Sequence, residues 1–115
     1  MSKININVII KNEDGIINNN YVALKNKNRI IYYEKDYRTT IFLDNFKIIR
    51  ENKDCIINMN FEQSKQTIGN IDVNNNKLDL EIYTYCLDVL DDYIKLKYKI
   101  ITTNQEVTFE LKKCK

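Results

Sequence analysis

The segment KLDLEIYTYC, residues 77–86, contains the pattern that decides the fold. Its apolar side chains recur at every second position, at Leu78, Leu80 and Ile82, with charged or aromatic side chains between them. Successive side chains of a β-strand point to opposite faces, so this period indicates a half-buried strand. The same period recurs in ININVII (4–10), YIKLKYKI (93–100) and EVTFELKK (106–113).

Alternating segments succeed one another along the whole chain with few residues between them. They are predicted near residues 3–11, 20–26, 29–35, 38–44, 46–51, 55–62, 66–72, 77–87, 93–103 and 105–113. Such short connections favour antiparallel neighbours, because parallel strands need long crossovers. Closing the sheet on itself hides its two edges. The sequence therefore predicts one all-β domain over residues 1–115, a closed antiparallel barrel of roughly eight to ten strands. An open sandwich is the alternative.

Turns must be made with few of the usual turn residues, because the chain has two Gly and no Pro. Asn and Asp tolerate a left-handed backbone better than most residues that carry a side chain, so they are expected to supply the turns. The candidate turns are residues 18–20, 26–28, 44–45, 51–53, 74–76 and 103–104. A hairpin around residues 102–105 predicts that Tyr98 faces Phe109 across the two strands.

The composition is that of a globular domain without a strong charge. Hydrophobic residues make up 43% of the chain, charged residues 30%, and the net charge is +2. This charge gives no strong field toward nucleic acid or an anionic membrane. No apolar run approaches the roughly 18 residues of a membrane helix, and the first residues lack the apolar stretch of a signal peptide. We therefore expect a cytoplasmic protein without membrane association.

Three cysteines, Cys55, Cys86 and Cys114, are too few and too widely spaced for a disulfide framework. Without His or a C-x-x-C pair, neither a zinc site nor any other cofactor is expected. Alternation places Cys86 on the apolar face of its strand, as a small core residue rather than a nucleophile. Because the commonest general base is missing, we predict that the protein is not an enzyme.

Two charged residues, Glu34 and Arg50, lie within the apolar and aromatic segment IIYYEKDYRTTIFLDNFKIIR, residues 30–50. Glu34 continues the alternating face of Tyr32, and Arg50 continues that of Ile48. If both faces point inward, the two charges enter the barrel. A lone buried charge costs several kcal/mol, so the two are expected to pair with each other or with nearby hydroxyls.

Hydroxyl groups on the inward faces complete a predicted ligand-binding set. The set consists of Glu34, Arg50, Tyr32, Thr84 and Tyr98. Pockets combine apolar walls with a few polar groups, which favours a small apolar or amphipathic ligand inside the barrel. Two alternatives stay open: a structural network that binds nothing, and a solvent-exposed ion pair at the barrel mouth.

Bulky side chains argue for a different use of the barrel. The large side chains expected to share the interior are those of Phe42, Phe46, Met59, Phe61, Tyr98 and Phe109. A barrel of about eight strands is just filled by its own side chains. A filled interior would leave no pocket, and a protein-interaction role would then be favoured.

The outer face carries the features of a second class of function, an interaction module. Lys95, Lys97 and Lys99 form a row beside Tyr83 and Tyr85, which would suit a single nucleic-acid strand or a protein partner. The carboxylates expected nearby are those of Glu81, Glu106 and Glu110. Mixed charges make a poor electrostatic footprint, so nucleic acid is not the expected partner. We expect a monomer or a weak homodimer.

Several short motifs occur in an order that resembles a known family. The motifs are KNKNRIIYYE (25–34), TT (39–40), IIR (48–50), MNF (59–61), LEIYT (80–84), IKLKYKI (94–100) and VTFELK (107–112). Together they resemble the YwiB-like family, bacterial proteins of no established activity with a calycin-like, lipocalin-related barrel. The resemblance implies a barrel in a bacterial cytoplasm, and the usual role of such barrels implies an interior ligand.

The chain departs from the family pattern at three places. Glu51 stands where family members often carry Gly after the arginine. The stretch NIDVNNNKL, residues 70–78, replaces a Tyr-x-Thr segment and a Gly turn. The connection between Glu34 and Thr39 is short.

Overall fold

The structure is a computed structural model that describes residues 1–114. It consists of ten β-strands and their connections. The strands are β1 (Ser2–Asn12), β2 (Gly15–Lys25), β3 (Arg29–Tyr33), β4 (Arg38–Phe42), β5 (Lys47–Glu51), β6 (Cys55–Asn60), β7 (Gln66–Val73), β8 (Asn76–Val89), β9 (Tyr93–Ile100) and β10 (Gln105–Cys114). The predicted all-β class is confirmed.

Every strand pairs antiparallel with its neighbours in the chain, and β1 also pairs with β10. The order around the sheet is β1-β10-β9-β8-β7-β6-β5-β4-β3-β2, which is a closed barrel. Closure pairs the backbone N–H and C=O groups of the edge strands, which an open sandwich would leave exposed. The prediction of a closed antiparallel barrel is therefore confirmed, at the upper limit of the expected strand number, and the sandwich is excluded for the described residues.

The connections alternate between the two ends of this barrel. One end carries the β1–β2, β3–β4, β5–β6, β7–β8 and β9–β10 connections, and we call it the cavity end. The opposite end carries the β2–β3, β4–β5, β6–β7 and β8–β9 connections, and we call it the closed end. At the cavity end the β3–β4 hairpin is short, so β2 pairs with β3 only through residues 23–25. Residues 15–22 of β2 therefore pair with β1 alone.

The asparagine tract at residues 18–20 was expected to be a turn, and this prediction is wrong. The tract lies inside β2, and the chain turns just before Gly15. Gly15 has a φ of 136°, a conformation that glycine adopts readily and residues with a side chain rarely adopt. The side-chain amide of Asn7 on β1 donates to the side-chain oxygens of Asn18, at 2.6 Å, and Asn20, at 2.9 Å. This cross-strand amide ladder holds the tract in an extended conformation.

Three of the other five candidate turns contain asparagines in the expected left-handed conformation. Asn45, Asn74, Asn75 and Asn104 adopt positive φ values of 48°, 51°, 67° and 56°. Asn therefore replaces Gly at these turns, as predicted.

The β9–β10 hairpin was predicted two residues out of register. Its turn occupies residues 101–104, so Tyr98 pairs with Val107 and not with Phe109. A shift of two residues keeps every side chain on its own face, whereas a shift of one would reverse them all. The predicted inward and outward faces of both strands are therefore retained.

The inward faces of the strands form one apolar interior. Its buried members are Ile6, Val8, Ala23, Ile30, Tyr32, Ile41, Phe46, Ile48, Met59, Phe61, Leu80, Ile82, Ile94, Leu96, Tyr98, Phe109 and Leu111. Phe42 was expected here and lies outside, because Ile41 takes the inward position on β4. Its ring instead faces the ammonium of Lys47, 5.0 Å from the ring centroid. Among the described residues, no helix is long and apolar enough to cross a membrane.

Candidate functional site

A cavity of about 190 Å³ opens into the barrel interior at the cavity end. Its apolar wall is formed by Ile10, Ile48, Met59, Val107 and Phe109. Its polar wall is formed by Asn12, Tyr32, Glu34, Thr39, Arg50 and Tyr98. The barrel is thus neither hollow nor completely filled, since a small space remains above the packed interior.

An ion pair between Glu34 and Arg50 lies in the polar wall. Arg50 donates to one carboxylate oxygen, Glu34 Oε2, through Nη2 at 2.9 Å and Nε at 3.1 Å. The Thr39 hydroxyl donates to the same oxygen at 3.0 Å. The side chain of Glu34 is 15% exposed and that of Arg50 34% exposed. The predicted pairing is confirmed, and it lies at the rim of the interior.

Strand register explains why these groups meet. Tyr32 on β3 faces Thr39 on β4, which in turn faces Arg50 on β5. The three side chains therefore form a row across neighbouring strands on the inward face. Glu34 follows β3, and its backbone N–H donates to the carbonyl of Tyr37 at 2.8 Å. This tight turn directs the carboxylate back over the row.

The guanidinium is held from a second side by an aromatic ring. The central carbon of the Arg50 guanidinium lies 4.6 Å from the ring centroid of Tyr37. A guanidinium over a ring gains a cation–π attraction, and its plane is fixed by the stacking. The Arg50 guanidinium is therefore held by Glu34 on one side and by the Tyr37 ring on another.

Two buried phenols flank the ion pair. Burial raises the pKa of Tyr32 well above its usual value, and the nearby Glu34 carboxylate raises it further, while Arg50 opposes the shift. Burial also raises the pKa of Tyr98 to about 12, against a smaller opposing effect of Arg50. Both phenols therefore stay protonated near neutral pH and keep a hydroxyl that donates or accepts a hydrogen bond.

The structure brings four of the five predicted site residues to this cavity. They are Tyr32, Glu34, Arg50 and Tyr98. Thr84 is fully buried and does not line it. Its backbone pairs with Ser64 and Lys65 of the β6–β7 connection, which belongs to the closed end. The alternation that placed Thr84 inward was correct, but alternation does not give a residue's depth along the barrel.

Two residues that contact the ion pair were missed by sequence reasoning. Thr39 completes the coordination of Glu34 and Tyr37 stacks on Arg50. The signal for Thr39 was available in the alternating segment RTTIF, which places it on the same inward face as Ile41. Tyr37 lies in the short β3–β4 connection, where no period applies, and nothing in the sequence marks it.

Among residues 1–114, the closed end has no internal space comparable to the cavity. The Phe61 N–H donates to the Phe46 carbonyl at 3.0 Å, and their ring centroids lie 6.1 Å apart. The Phe61 ring then packs edge-on against Tyr98 at 4.8 Å. A wider depression of about 500 Å³ lies outside these rings, beside Leu43, and it is open to solvent. Enclosed pockets bind small molecules best, so the smaller cavity is the better candidate.

Cys86 was predicted to be a core residue, and this prediction is wrong. A β-bulge between Thr84 and Cys86 inserts an extra residue, so Cys86 pairs with the outward Lys97. Partial burial, and then the neighbouring Asp88 carboxylate, raise the pKa of the Cys86 thiol. The thiolate is thereby disfavoured, which agrees with its expected lack of nucleophilic character. All three cysteines are free.

The lysine row on β9 lies on the outer face with its tyrosines, as predicted. Tyr83 and Tyr85 have ring centroids 5.2 Å apart. Lys99 pairs across the strands with Glu106, and Lys95 with Glu110. Two of the three lysines thus have a carboxylate opposite them on the neighbouring strand, and the mixed charges give the face no strong positive field. Within residues 1–114 there is also no cluster of three or more side chains suited to a metal ion.

Comparisons with known proteins find a similar fold among solved structures and no matching family model. No family model and no curated protein matches the chain. Among solved structures, the crystal structure of the ywiB protein from Bacillus subtilis is similar, with a TM-score of 0.49 and 13% sequence identity. The alignment covers 98% of this chain and 91% of that one. We take no functional argument from a likeness of this size, and the closed barrel is established by the strand pairing described above.

Proposed function

We propose that the protein is a binding protein for a small amphipathic molecule, held in the cavity at the cavity end. The observation that carries this proposal is the composition of the cavity wall. Apolar side chains such as Met59 and Phe109 share the cavity wall with the ion pair, whose carboxylate also accepts a hydrogen bond from Thr39. Pockets for small molecules are typically apolar with a few fixed polar groups, and this one has that form.

The cavity volume limits the size of the ligand. At about 190 Å³ the space is smaller than the pockets of drug-sized molecules, which start near 300 Å³. An enclosed apolar cavity of about 150 Å³ accommodates benzene. We therefore propose a ligand of roughly six to ten non-hydrogen atoms, or the corresponding end of a longer molecule whose remainder lies outside the mouth.

We further propose that the role is binding without catalysis. The chain contains no His, and burial raises the pKa values of the Tyr32 and Tyr98 phenols further above neutral pH, which disfavours phenolate as a base. Three donors hold Glu34 in place through Oε2, which suits a fixed polar group in the wall of a binding site. The free cysteines suit a reducing bacterial cytoplasm, which is where we propose that the protein acts.

Fragment binding with a blocked cavity tests the proposal. Val107 lines the cavity, and Val107→Phe would place an aromatic ring in it. Val22 is 62% exposed on β2, so Val22→Phe adds the same bulk to the outer surface and serves as the matched control. We expect saturation-transfer NMR to detect benzyl-sized fragments on the natural protein and on Val22→Phe, with the signal lost in Val107→Phe. Absence of binding to the natural protein, or equal binding to both variants, would contradict the proposal.

A further inference from the structure

The ion pair in the cavity wall uses only some of its hydrogen-bonding atoms. Glu34 Oε2 accepts from Arg50 Nε, Arg50 Nη2 and Thr39. Within residues 1–114, no group donates to Glu34 Oε1 and no group accepts from Arg50 Nη1. Both residues line the cavity. The wall therefore offers one anionic acceptor and one cationic donor that the fold itself does not use.

The charges of this wall cancel, and this decides which ligands it favours. An anion would be attracted by Arg50 and repelled by Glu34, and a cation would meet the reverse. Either charged ligand is also desolvated on entering an apolar cavity without an unpaired counter-ion. To gain such a counter-ion it would have to separate the pair, leaving one partly buried charge without its partner.

We propose that the cavity selects uncharged ligands that carry a donor and an acceptor together, such as a carboxamide, lactam or urea on a small apolar body. This inference rests on the proposed binding function. The ligand carbonyl accepts from Arg50 Nη1 and the ligand N–H donates to Glu34 Oε1. Both hydrogen bonds are charge-assisted, which makes them stronger than neutral ones, and neither disturbs the existing pair.

The hydroxyls of the two buried phenols strengthen the preference for a neutral ligand. Tyr32 and Tyr98 line the same cavity and remain protonated. A phenol donates or accepts equally well, so it adds hydrogen bonds without adding charge. The polar wall as a whole is therefore neutral but rich in hydrogen-bonding groups.

Four ring compounds of similar size test this class directly. They are benzamide, benzoate, benzylamine and toluene, measured at pH 7 by saturation-transfer NMR and, where heats allow, by calorimetry. We expect benzamide to bind on the order of tenfold more tightly than each of the other three, which is the factor given by about one charge-assisted hydrogen bond. Toluene shares the ring and lacks the polar group, so it isolates the contribution of the apolar wall.

Two variants test the two members of the ion pair separately. Glu34→Gln leaves the Arg50 charge unmatched, so benzoate should become the preferred ligand. Arg50→Lys keeps the charge and removes Nη1, so the advantage of benzamide over toluene should fall. The matched control is Glu51→Gln, which breaks the outward pair of Arg38 and Glu51, joined at 3.3 Å, and should leave the ranking unchanged. Thermal unfolding establishes that each variant is folded, and the ranking on the natural protein stands if one is not.

The outcomes separate this inference from the proposed function. Tighter binding of benzoate or benzylamine than of benzamide to the natural protein would overturn the neutral class and leave cavity binding intact. Equal binding of toluene and benzamide would show that the ion pair takes no part. If none of the four binds, both the inference and the proposed function are overturned.

Discussion

The two ends of the barrel are built from the same strands and are filled in different ways. At the closed end, Phe46 and Phe61 pack on one another, and a separate space near Ile30 measures only about 10 Å³. At the cavity end, Glu34 and Arg50 occupy the corresponding inward positions and a space of about 190 Å³ remains. Aromatic rings close a barrel by contact, whereas a rim ion pair keeps its charges near water and does not fill the centre.

The length of one hairpin explains which end stays open. The β3–β4 hairpin ends early, so β2 continues past it with residues 15–22 unpaired on that side. Val22 is 62% exposed there, and Tyr33 at the end of β3 is 63% exposed. Because the β3–β4 hairpin is short, the barrel wall ends earlier there than at its neighbours. The Glu34–Arg50 pair lies where longer β3 and β4 strands would cover the interior.

The largest effect is expected from removing a ring of the closed end. Phe61 is 4% exposed and packs on Phe46 and Tyr98, so Phe61→Ala should lower the free energy of unfolding by about 3–5 kcal/mol. Urea denaturation measures this loss. Phe42→Ala is the matched control, because Phe42 lies outside and contacts Lys47; it should cost about 1 kcal/mol or less. Similar losses at the two positions would show that the closed end is not held by ring packing.

The polar groups of the cavity end could be predicted from sequence, because the inward face of a strand follows from a period of two. Tyr32, Glu34 and Arg50 were assigned to inward faces and meet at one cavity. The cost of a buried charge predicted that Glu34 and Arg50 pair with each other or with nearby hydroxyls, and Glu34 has both kinds of partner. Neither inference needs the position of a residue along the barrel axis.

What sequence could not give were features set by other strands. The depth of Thr84 depends on how all ten strands are staggered around the barrel, and no single strand contains that information. The β-bulge before Cys86 turns the Cys86 side chain to the outer face of the barrel, and the segment TYC contains no residue that predicts a bulge. The asparagine tract in β2 is extended because Asn7, eleven residues before Asn18, binds it.

Alkaline pH should weaken the fold through the cavity end. Tyr98 has a folded pKa raised by burial to about 12, above the usual value of about 10 in an unfolded chain. Between these two pKa values the folded state keeps a proton that the unfolded state releases. The contribution of Tyr98 to the free energy of unfolding is therefore complete below pH 10 and is lost as the pH rises toward 12. Tyr32, whose pKa burial also raises, adds to this loss.

The expected slope is up to about 1.4 kcal/mol of unfolding free energy per pH unit for each buried phenol. Urea denaturation at intervals from pH 9 to about 12 would measure it. Tyr98→Phe should make the decline shallower, and Tyr33→Phe, at a tyrosine that is 63% exposed, is the control. A decline of the same steepness in Tyr98→Phe would mean that this phenol is not the group that titrates.

The smallest effects should have opposite signs at two buried threonines. Thr39 is 1% exposed and donates to Glu34, so Thr39→Val should lower the unfolding free energy by about 1–2 kcal/mol. Thr84 is fully buried, and its hydroxyl has no hydrogen-bond partner within residues 1–114. Replacing an unsatisfied hydroxyl with a methyl group removes a desolvation penalty, so Thr84→Val should raise the unfolding free energy by about 1 kcal/mol.

These two substitutions make the same change of atoms in the same sheet, so differences in side-chain size do not complicate the comparison. The sign is decided by whether the hydroxyl serves the ion pair of the cavity end or lies unpaired beside the closed end. Equilibrium denaturation with a common slope would resolve a difference of about 2 kcal/mol between the variants. If Thr84→Val were instead destabilising by as much as Thr39→Val, the Thr84 hydroxyl would have a partner, and the closed end would contain a polar contact of its own.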